Sequence, residues 1–175
     1  GENGAGKSTL VKILGGLVQP TERQILFDGA VLRLGRRTDP SCISIVHQEL
    51  SIIPALSVLD NVLMANTRVG RLYLRGQFKN DVRRQLDSIG LPHVTLDQSA
   101  SELSLAERQL VEIARCVLHG AKVLILDEPT ATLAESEIAR VFTAVRWLRD
   151  QGTTVVFISH RLNEVFDLTD RITVF

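Results

Sequence analysis

The sequence contains little cysteine, few aromatic residues and no excess of charge of either sign. Its 175 residues include 2 Cys, 1 Trp and 1 Tyr, and 20 Lys and Arg balance 20 Asp and Glu. Cys42 and Cys116 have neither close-spaced partners nor histidines at metal-ligand spacing, so we expect two free, buried thiols. The balanced charge excludes a broad basic surface, and we therefore predict no nucleic-acid partner.

Long apolar runs are also absent. The longest, at residues 123–126 and 155–158, fall far short of the ~18 residues that would cross a bilayer. The sequence lacks an initiator Met and starts inside a glycine-rich loop, so we expect a fragment whose N-terminal strands lie outside it. Its length predicts a single domain over residues 1–175.

Short β-branched runs alternate with longer stretches of helical periodicity along the chain. This alternation is typical of an α/β domain with a mainly parallel sheet flanked by helices. We predict helices at 7–17, 58–66, 78–89, 104–118, 135–150 and 162–166, and strands at 24–27, 43–46, 123–126, 154–158 and 172–175. The alternation breaks at residues 66–101, around Gly70 and Gly76, which we predict to be a helical subdomain continuing into a helix at 103–118.

The first motif stands at the start of the chain and fits the GxxxxGK[ST] phosphate-binding loop. Its glycines let backbone N–H groups turn toward phosphate oxygens, and the next helix directs its positive end at the same anions. Lys7 supplies a charge to the β and γ phosphates, and Ser8 supplies a hydroxyl to Mg²⁺. The predicted nucleotide-binding residues are Gly1, Glu2, Asn3, Gly4, Ala5, Gly6, Lys7, Ser8 and Thr9. The alternative is a glycine-rich turn before an ordinary helix.

A second motif places two adjacent carboxylates at the end of a buried strand. Asp127 and Glu128 follow the apolar run at 123–126, and buried carboxylates are costly unless a cation uses them. Because neighbouring strand residues face opposite ways, the two acids can take different roles. We assign Asp127 to Mg²⁺ and Glu128 to a general base that polarises the attacking water. The alternative is a strand that ends in a solvated acidic turn.

With these two motifs, further segments resemble the ABC ATPases, in the order that family has them. Gln48 resembles the Q-loop glutamine, so the resemblance implies that it helps coordinate the metal and the water. His160 resembles the switch histidine that senses the γ-phosphate and orders the attacking water. Taken alone, His160 would be interpreted as a capping or core histidine. The resemblance implies a P-loop NTPase fold with ATP and Mg²⁺ as ligands.

Two segments depart from the family pattern. Residues 103–107 resemble the LSGGQ signature, but Leu105 and Ala106 replace both glycines and Glu107 replaces the glutamine. The resemblance implies that Ser104 acts in trans, on nucleotide bound to an opposing domain. Glu107 brings an anion close to that site unless it is held in a capping box with Ser104. In addition, Ala134 stands where the family's D-loop has an aspartate.

Within the family, residues 1–10, 48–50 and 56–62 resemble monosaccharide importers that carry two ATPase domains in one polypeptide. Lys7 indicates the first of the two domains. The resemblance implies an ATP-hydrolysing importer subunit, peripheral on the cytoplasmic face of the inner membrane. Its implied partners are a second ABC ATPase domain, membrane permease subunits contacted by residues 50–101 and, indirectly, a solute-binding protein. The alternatives are an ABC ATPase for another solute, a soluble ABC-type regulatory ATPase and a largely inactive ATP-binding partner.

Overall fold

The computed structural model describes residues 6–22, 24–32, 38–64 and 75–174. Five of the predicted nucleotide-binding residues lie outside the described residues, namely Gly1, Glu2, Asn3, Gly4 and Ala5. Residues 66–74 of the predicted helical subdomain lie outside them as well.

A parallel sheet of three strands forms the centre of the described fold, in the order β3 (Ile43–Val46), β4 (Val123–Asp127) and β5 (Thr154–Ile158). A separate antiparallel hairpin consists of β1 (Leu26–Phe27) and β2 (Ala30–Val31). The helices are α1 (Lys7–Leu14), α2 (Val58–Leu63), α3 (Lys79–Ser88), α4 (Leu105–Leu118), α5 (Glu135–Asp150) and α6 (Leu162–Leu168), with short 3₁₀ helices at Arg75–Phe78 and Ala100–Glu102. The predicted α/β architecture is confirmed.

Both faces of the parallel sheet are covered, which explains why its strands are apolar at nearly every position. On one face Ile43 and Ile125 pack against Val11 of α1. On the other face Leu124 and Leu126 join the larger core that α2 to α5 complete. Successive strand residues therefore alternate between two cores, as the pleat requires.

The helix that follows the glycine-rich loop is shorter than predicted. It ends at Leu14 rather than at residue 17, because Gly16 adopts a left-handed φ of 75°. Gly16 N–H donates to the Ile13 carbonyl at 3.0 Å, and Leu17 N–H donates to the Lys12 carbonyl at 2.8 Å. This pair of hydrogen bonds is the Schellman arrangement that stops a helix at a glycine.

Two short segments differ from the predicted strands. The strand predicted at 24–27 covers only Leu26–Phe27. Asp28 and Gly29, with φ of 54° and 77°, form the tight turn of the β1–β2 hairpin, and an Asp-Gly pair is typical of such a turn. The predicted strand at 172–175 is not formed at residues 172–174. Ile172 and Val174 are 44% and 79% exposed, and among the described residues the sheet ends at β5, so residues 172–174 add no strand to it.

Within the described ranges, no helix has the length and apolar character needed to cross a bilayer. Cys42 and Cys116 are free thiols, the first half-buried and the second buried. Burial raises the pKa of the Cys116 thiol to about 11, so this sulfur stays protonated and unreactive at neutral pH.

A buried asparagine fixes the loop between β3 and α2. The Asn61 side chain is fully buried, accepts from Ile53 N–H at 2.8 Å and donates to the carbonyls of Ile53 and Ser57, each at 3.0 Å. It thus provides a partner for the Ile53 N–H and a second donor to two carbonyls that also accept from the backbone N–H groups of Leu56 and Asn61.

We predict that Asn61→Ala lowers the free energy of unfolding by about 2 kcal/mol, because it removes the partner of the Ile53 N–H and two further buried hydrogen bonds. Urea unfolding measures the change. The matched control is Asn80→Ala on the exposed face of α3, for which we expect a change within about 0.5 kcal/mol. Equal effects of the two substitutions would contradict the role given to Asn61.

Candidate functional site

The ends of the three parallel strands bring together most of the chemical groups predicted from the sequence. Val46 pairs with Leu126, and Asp127 pairs with Ile158. The residues that follow each strand therefore emerge at one edge of the sheet: His47 and Gln48 after β3, Glu128 after β4, and Ser159 and His160 after β5. In open α/β sheets this edge is where ligands bind.

Glu128 and His160 lie next to each other at this edge. His160 Nδ1 is 3.3 Å from Glu128 Oε1. Glu128 has a φ of 49°, which is uncommon for a residue with a side chain. Its N–H donates to the Ile158 carbonyl at 2.9 Å, which holds the turn against the end of β5. A residue kept in such a conformation is characteristic of functional sites.

Asp127 is surrounded by charges of both signs. Burial and the neighbouring Glu128 carboxylate raise the pKa of Asp127 above its ordinary value, while the electrostatic influence of His47 and Lys7 acts in the opposite direction. The carboxylate is therefore less stable here than in water. A cation placed against it would relieve this cost.

The helix α1 brings the described part of the glycine-rich loop to the same edge. Gly6 caps the helix with a φ of 98°, a conformation that favours glycine. Lys7 begins the helix and is half-buried, and Ser8 and Thr9 are exposed in its first turn. The N–H groups of this turn and the Lys7 charge make the end of α1 attractive to an anion.

Gln48 is exposed in the segment after β3, and this segment is anchored three residues further on. Glu112 of α4, only 2% exposed, accepts from Ser51 Oγ at 2.5 Å and from Ser51 N–H at 3.1 Å. Arg115 pairs with the same carboxylate at 2.7 Å. The segment that carries Gln48 is thereby tied to the helix that starts at the predicted signature.

Ser104 caps that helix, and both halves of the predicted capping box are present. Glu107 N–H donates to Ser104 Oγ at 3.3 Å, and Ser104 N–H donates to Glu107 Oε2 at 2.9 Å. Glu107 is also 2.7 Å from His93 and 3.6 Å from Arg140. Burial works to raise the pKa of Glu107, but these hydrogen bonds and the Arg140 charge together lower it. Its charge is therefore held and compensated within the domain.

The described residues hold no group of three or more His, Cys, Asp and Glu side chains that could bind a metal ion on their own. Mg²⁺ does not require one, because it uses one or two carboxylates with waters and phosphate oxygens. The predicted donors are all oxygen atoms, from Ser8, Gln48 and Asp127. Asp127 lies at the end of β4 beside the start of α1, where phosphate oxygens would come, so this donor set fits Mg²⁺ accompanied by phosphate.

Two polar residues near this edge, His47 and Glu164, were not predicted from the sequence. His47 lies one residue beyond Val46, whose partner is Leu126, and so comes beside Asp127. Counting residues along parallel strands would have found it. Glu164 was also missed, although it shares a helix face with the apolar Leu168, four residues further on. Such an acid on a buried face signals a polar partner in the core.

The start of α5 does not use the residues whose spacing suggests a cap. Thr132 and Glu135 have the spacing of a capping box. Instead Ala134 precedes the helix, and Glu137 accepts from Ala134 N–H at 3.1 Å. The alanine has no oxygen to complete a capping box, so only the glutamate half is made.

Comparisons with known proteins agree on one family. The family model described as ABC transporter matches residues 1–131. The ribose import ATP-binding protein RbsA of Chromobacterium violaceum is 43% identical over 99% of the chain, and the arabinose import ATP-binding protein AraG of Vibrio parahaemolyticus is 40% identical over 100% of it. The chain spans 35% of the length of each.

A solved structure has the same fold. It is the ADP conformation of an ATP-binding cassette of an ABC transporter, MJ1267, with a TM-score of 0.79 and 27% sequence identity. The match covers 96% of this chain and 71% of that one.

We predict that Asp127→Asn raises the free energy of unfolding at pH 7 when nucleotide and Mg²⁺ are absent. The folded pKa of Asp127 lies above its unfolded value, so the wild type loses stability as pH rises from the unfolded pKa through the folded one. Asparagine removes this loss. The gain should shrink as the pH is lowered toward the unfolded pKa, where the carboxyl group is protonated in both states.

Urea unfolding at neutral and acidic pH measures this difference. The control is Asp150→Asn, because Asp150 is an exposed acid at the end of α5 that pairs with Arg149. We expect no gain from it. A variant at Asp127 that is no more stable than the wild type at pH 7, or a gain that does not depend on pH, would contradict the electrostatic account.

Proposed function

Because the chain belongs to the ABC transporter family, we propose that it binds ATP with Mg²⁺ and hydrolyses the ATP to drive import of a solute. The observation that carries the proposal is the position of Glu128 and His160, 3.3 Å apart, beside Asp127 at the end of the strand that lies between β3 and β5. An acid–base pair next to a half-buried carboxylate is suited to hydrolysis of a metal-bound phosphate.

In this proposal the glycine-rich loop and the first turn of α1 hold the phosphates. Backbone N–H groups at 1–9 and the positive end of the helix contact phosphate oxygens, and Lys7 reaches the β and γ phosphates. Ser8, Gln48 and Asp127 hold the metal. When bound there, Mg²⁺ neutralises the charge that builds on the phosphoryl oxygens.

Glu128 acts as the general base in the same proposal. It polarises a water aligned with the γ-phosphate, and His160 holds that water in position relative to the phosphate. Their contact at 3.3 Å supports a joint role, since each restricts the position of the other. The backbone of Glu128 is also held at a left-handed φ of 49°, a conformation that clusters at functional sites.

The opposite side of the nucleotide requires a second ATPase domain. Ser104 is exposed at the N-terminus of α4, where a hydroxyl and a positive helix end can meet a phosphate of another domain. Glu107 stays in the cap with His93 and Arg140 around it. The atypical signature can therefore serve in trans without presenting an unpaired anion.

The proposed solute is a monosaccharide, because RbsA and AraG are named for ribose and arabinose import. Their near-equal similarity to the chain does not separate one sugar from another. Solute recognition would belong to permease subunits and a solute-binding protein. The chain itself would lie on the cytoplasmic face of the membrane and contact the permease through residues 50–101, of which 66–101 form the proposed helical subdomain.

We predict that Glu128→Gln lowers the kcat for ATP hydrolysis by about 10²-fold or more, because it removes the general base. ATP affinity should be retained, since the phosphate-binding groups remain. Phosphate release and nucleotide binding by the full-length protein measure the two quantities. Asp150→Asn, at the far end of α5, is the matched control and should keep the wild-type rate. Hydrolysis by Glu128→Gln at the wild-type rate would overturn the assignment.

A further inference from the structure

A buried carboxylate on α6 remains without a role in the proposed mechanism. Glu164 is only 8% exposed, and its neighbours Val165 and Leu168 on the same helix are also buried. A buried charge is costly unless several hydrogen bonds compensate it. The identity of those hydrogen-bond donors therefore indicates what Glu164 is for.

The donors come from the two loops that carry the Glu128–His160 pair. Glu164 Oε2 accepts from Thr130 Oγ1 at 2.6 Å and from Ser159 Oγ at 3.0 Å. Glu164 Oε1 accepts from an Arg161 guanidinium N–H at 3.1 Å. Thr130 is two residues beyond Glu128, while Ser159 and Arg161 stand on either side of His160. One carboxylate thus connects both loops.

Other contacts strengthen the same junction. Arg161 N–H donates to Ser159 Oγ at 3.0 Å, and the Arg161 guanidinium donates to the Ala131 carbonyl at 3.4 Å. Thr130 is 1% exposed, so its hydroxyl depends on Glu164 for a partner. The junction is a closed network between the segments after β4 and β5.

Packing does little to hold the histidine itself. The His160 side chain is 55% exposed and lines a cavity of 710 Å³ together with Phe142 and Leu162. With few packing contacts, the position of the ring depends on its contact with Glu128 and on where the backbone places it. The backbone on both sides of His160 is fixed through Glu164.

We infer that Glu164 is a positioning residue that sets the Glu128–His160 geometry by holding Thr130 on one loop and Ser159 and Arg161 on the other. This inference rests on the proposed function, because it concerns the same pair of residues. Glu164 is buried, and its donors Thr130, Ser159 and Arg161 are not assigned to the nucleotide or the metal. It acts through the contact between Glu128 and His160, so its loss should lower kcat and leave ATP binding intact.

The test is Glu164→Gln in the full-length protein, which keeps the shape of the side chain but removes the charge and part of its accepting capacity. We expect kcat for ATP hydrolysis to fall on the order of tenfold, since small misplacement of catalytic groups has large effects on rate. The KM for ATP should stay within about twofold. The matched control is Asp167→Asn on the same helix, which removes an exposed pairing with Arg146 at 2.8 Å and should leave kcat unchanged.

A second pair of variants separates positioning from general stability. In a His160→Ala background, Glu164→Gln should cause no further fall in kcat, because the Glu128–His160 contact that it positions is already lost. An equal fall in both backgrounds, or a wild-type kcat in Glu164→Gln, would overturn the inference. If Glu164→Gln does not fold, Thr130→Val removes one of the same hydrogen bonds, and kcat should then fall while KM is retained.

A different measurement tests the proposed role of Glu128 as the general base. If the wild type and Glu128→Gln release phosphate at the same rate, Glu128 is not the base. If they differ while Glu164→Gln matches the wild type, hydrolysis at this site stands and only the positioning role of Glu164 is wrong.

Discussion

The candidate site depends on the hydrogen-bonded register of three parallel strands. With Val46 opposite Leu126 and Asp127 opposite Ile158, the residues after each strand meet at one edge. A slip of one residue would turn every side chain to the opposite face of the sheet. The two cores forbid that slip, because Leu124 and Leu126 belong to one and Ile125 belongs to the other. The packing of apolar residues therefore fixes the positions of charged ones.

The groups at this site lower the stability of the protein when no ligand is bound. Asp127 and Glu128 are adjacent carboxylates, and burial together with their mutual repulsion raises the pKa of Asp127. Glu128 is held at a left-handed φ. Stability lost in these ways persists only where surrounding structure compensates for it. The compensation comes from the β4–β5 ladder, from the electrostatic influence of Lys7 and His47 and, in our inference, from the Glu164 junction.

Much of this arrangement could be predicted from the sequence because its signals are local. Short β-branched runs marked β3, β4 and β5, and helical periodicity gave α5 its observed limits. The two acids at the end of β4 indicated at which edge of the sheet the candidate site lies. The approach of His160 to Glu128 agrees with the role that the family resemblance implied. The roles of Gln48 and of Ser104 in trans stay predictions.

What the sequence did not reveal depends on contacts between distant segments. The role of Glu164 depends on its hydrogen bond with Thr130, 34 residues earlier in the chain, and no local sequence pattern indicates such a pairing. The end of α1 at Leu14 depended on which of two adjacent glycines would become left-handed. The segment at 172–174 has the composition of a strand, but a strand forms only beside a partner, and among the described residues the sheet ends at β5.

The most direct test of the central claim is the position of the γ-phosphate in a crystal structure of full-length Glu128→Gln with ATP and Mg²⁺. We predict that Lys7 contacts the γ-phosphate, that Asp127 lies beside the metal, and that His160 reaches a γ-phosphate oxygen at hydrogen-bond distance. A nucleotide bound away from the ends of β3, β4 and β5, or a γ-phosphate out of reach of both Lys7 and His160, would contradict the account.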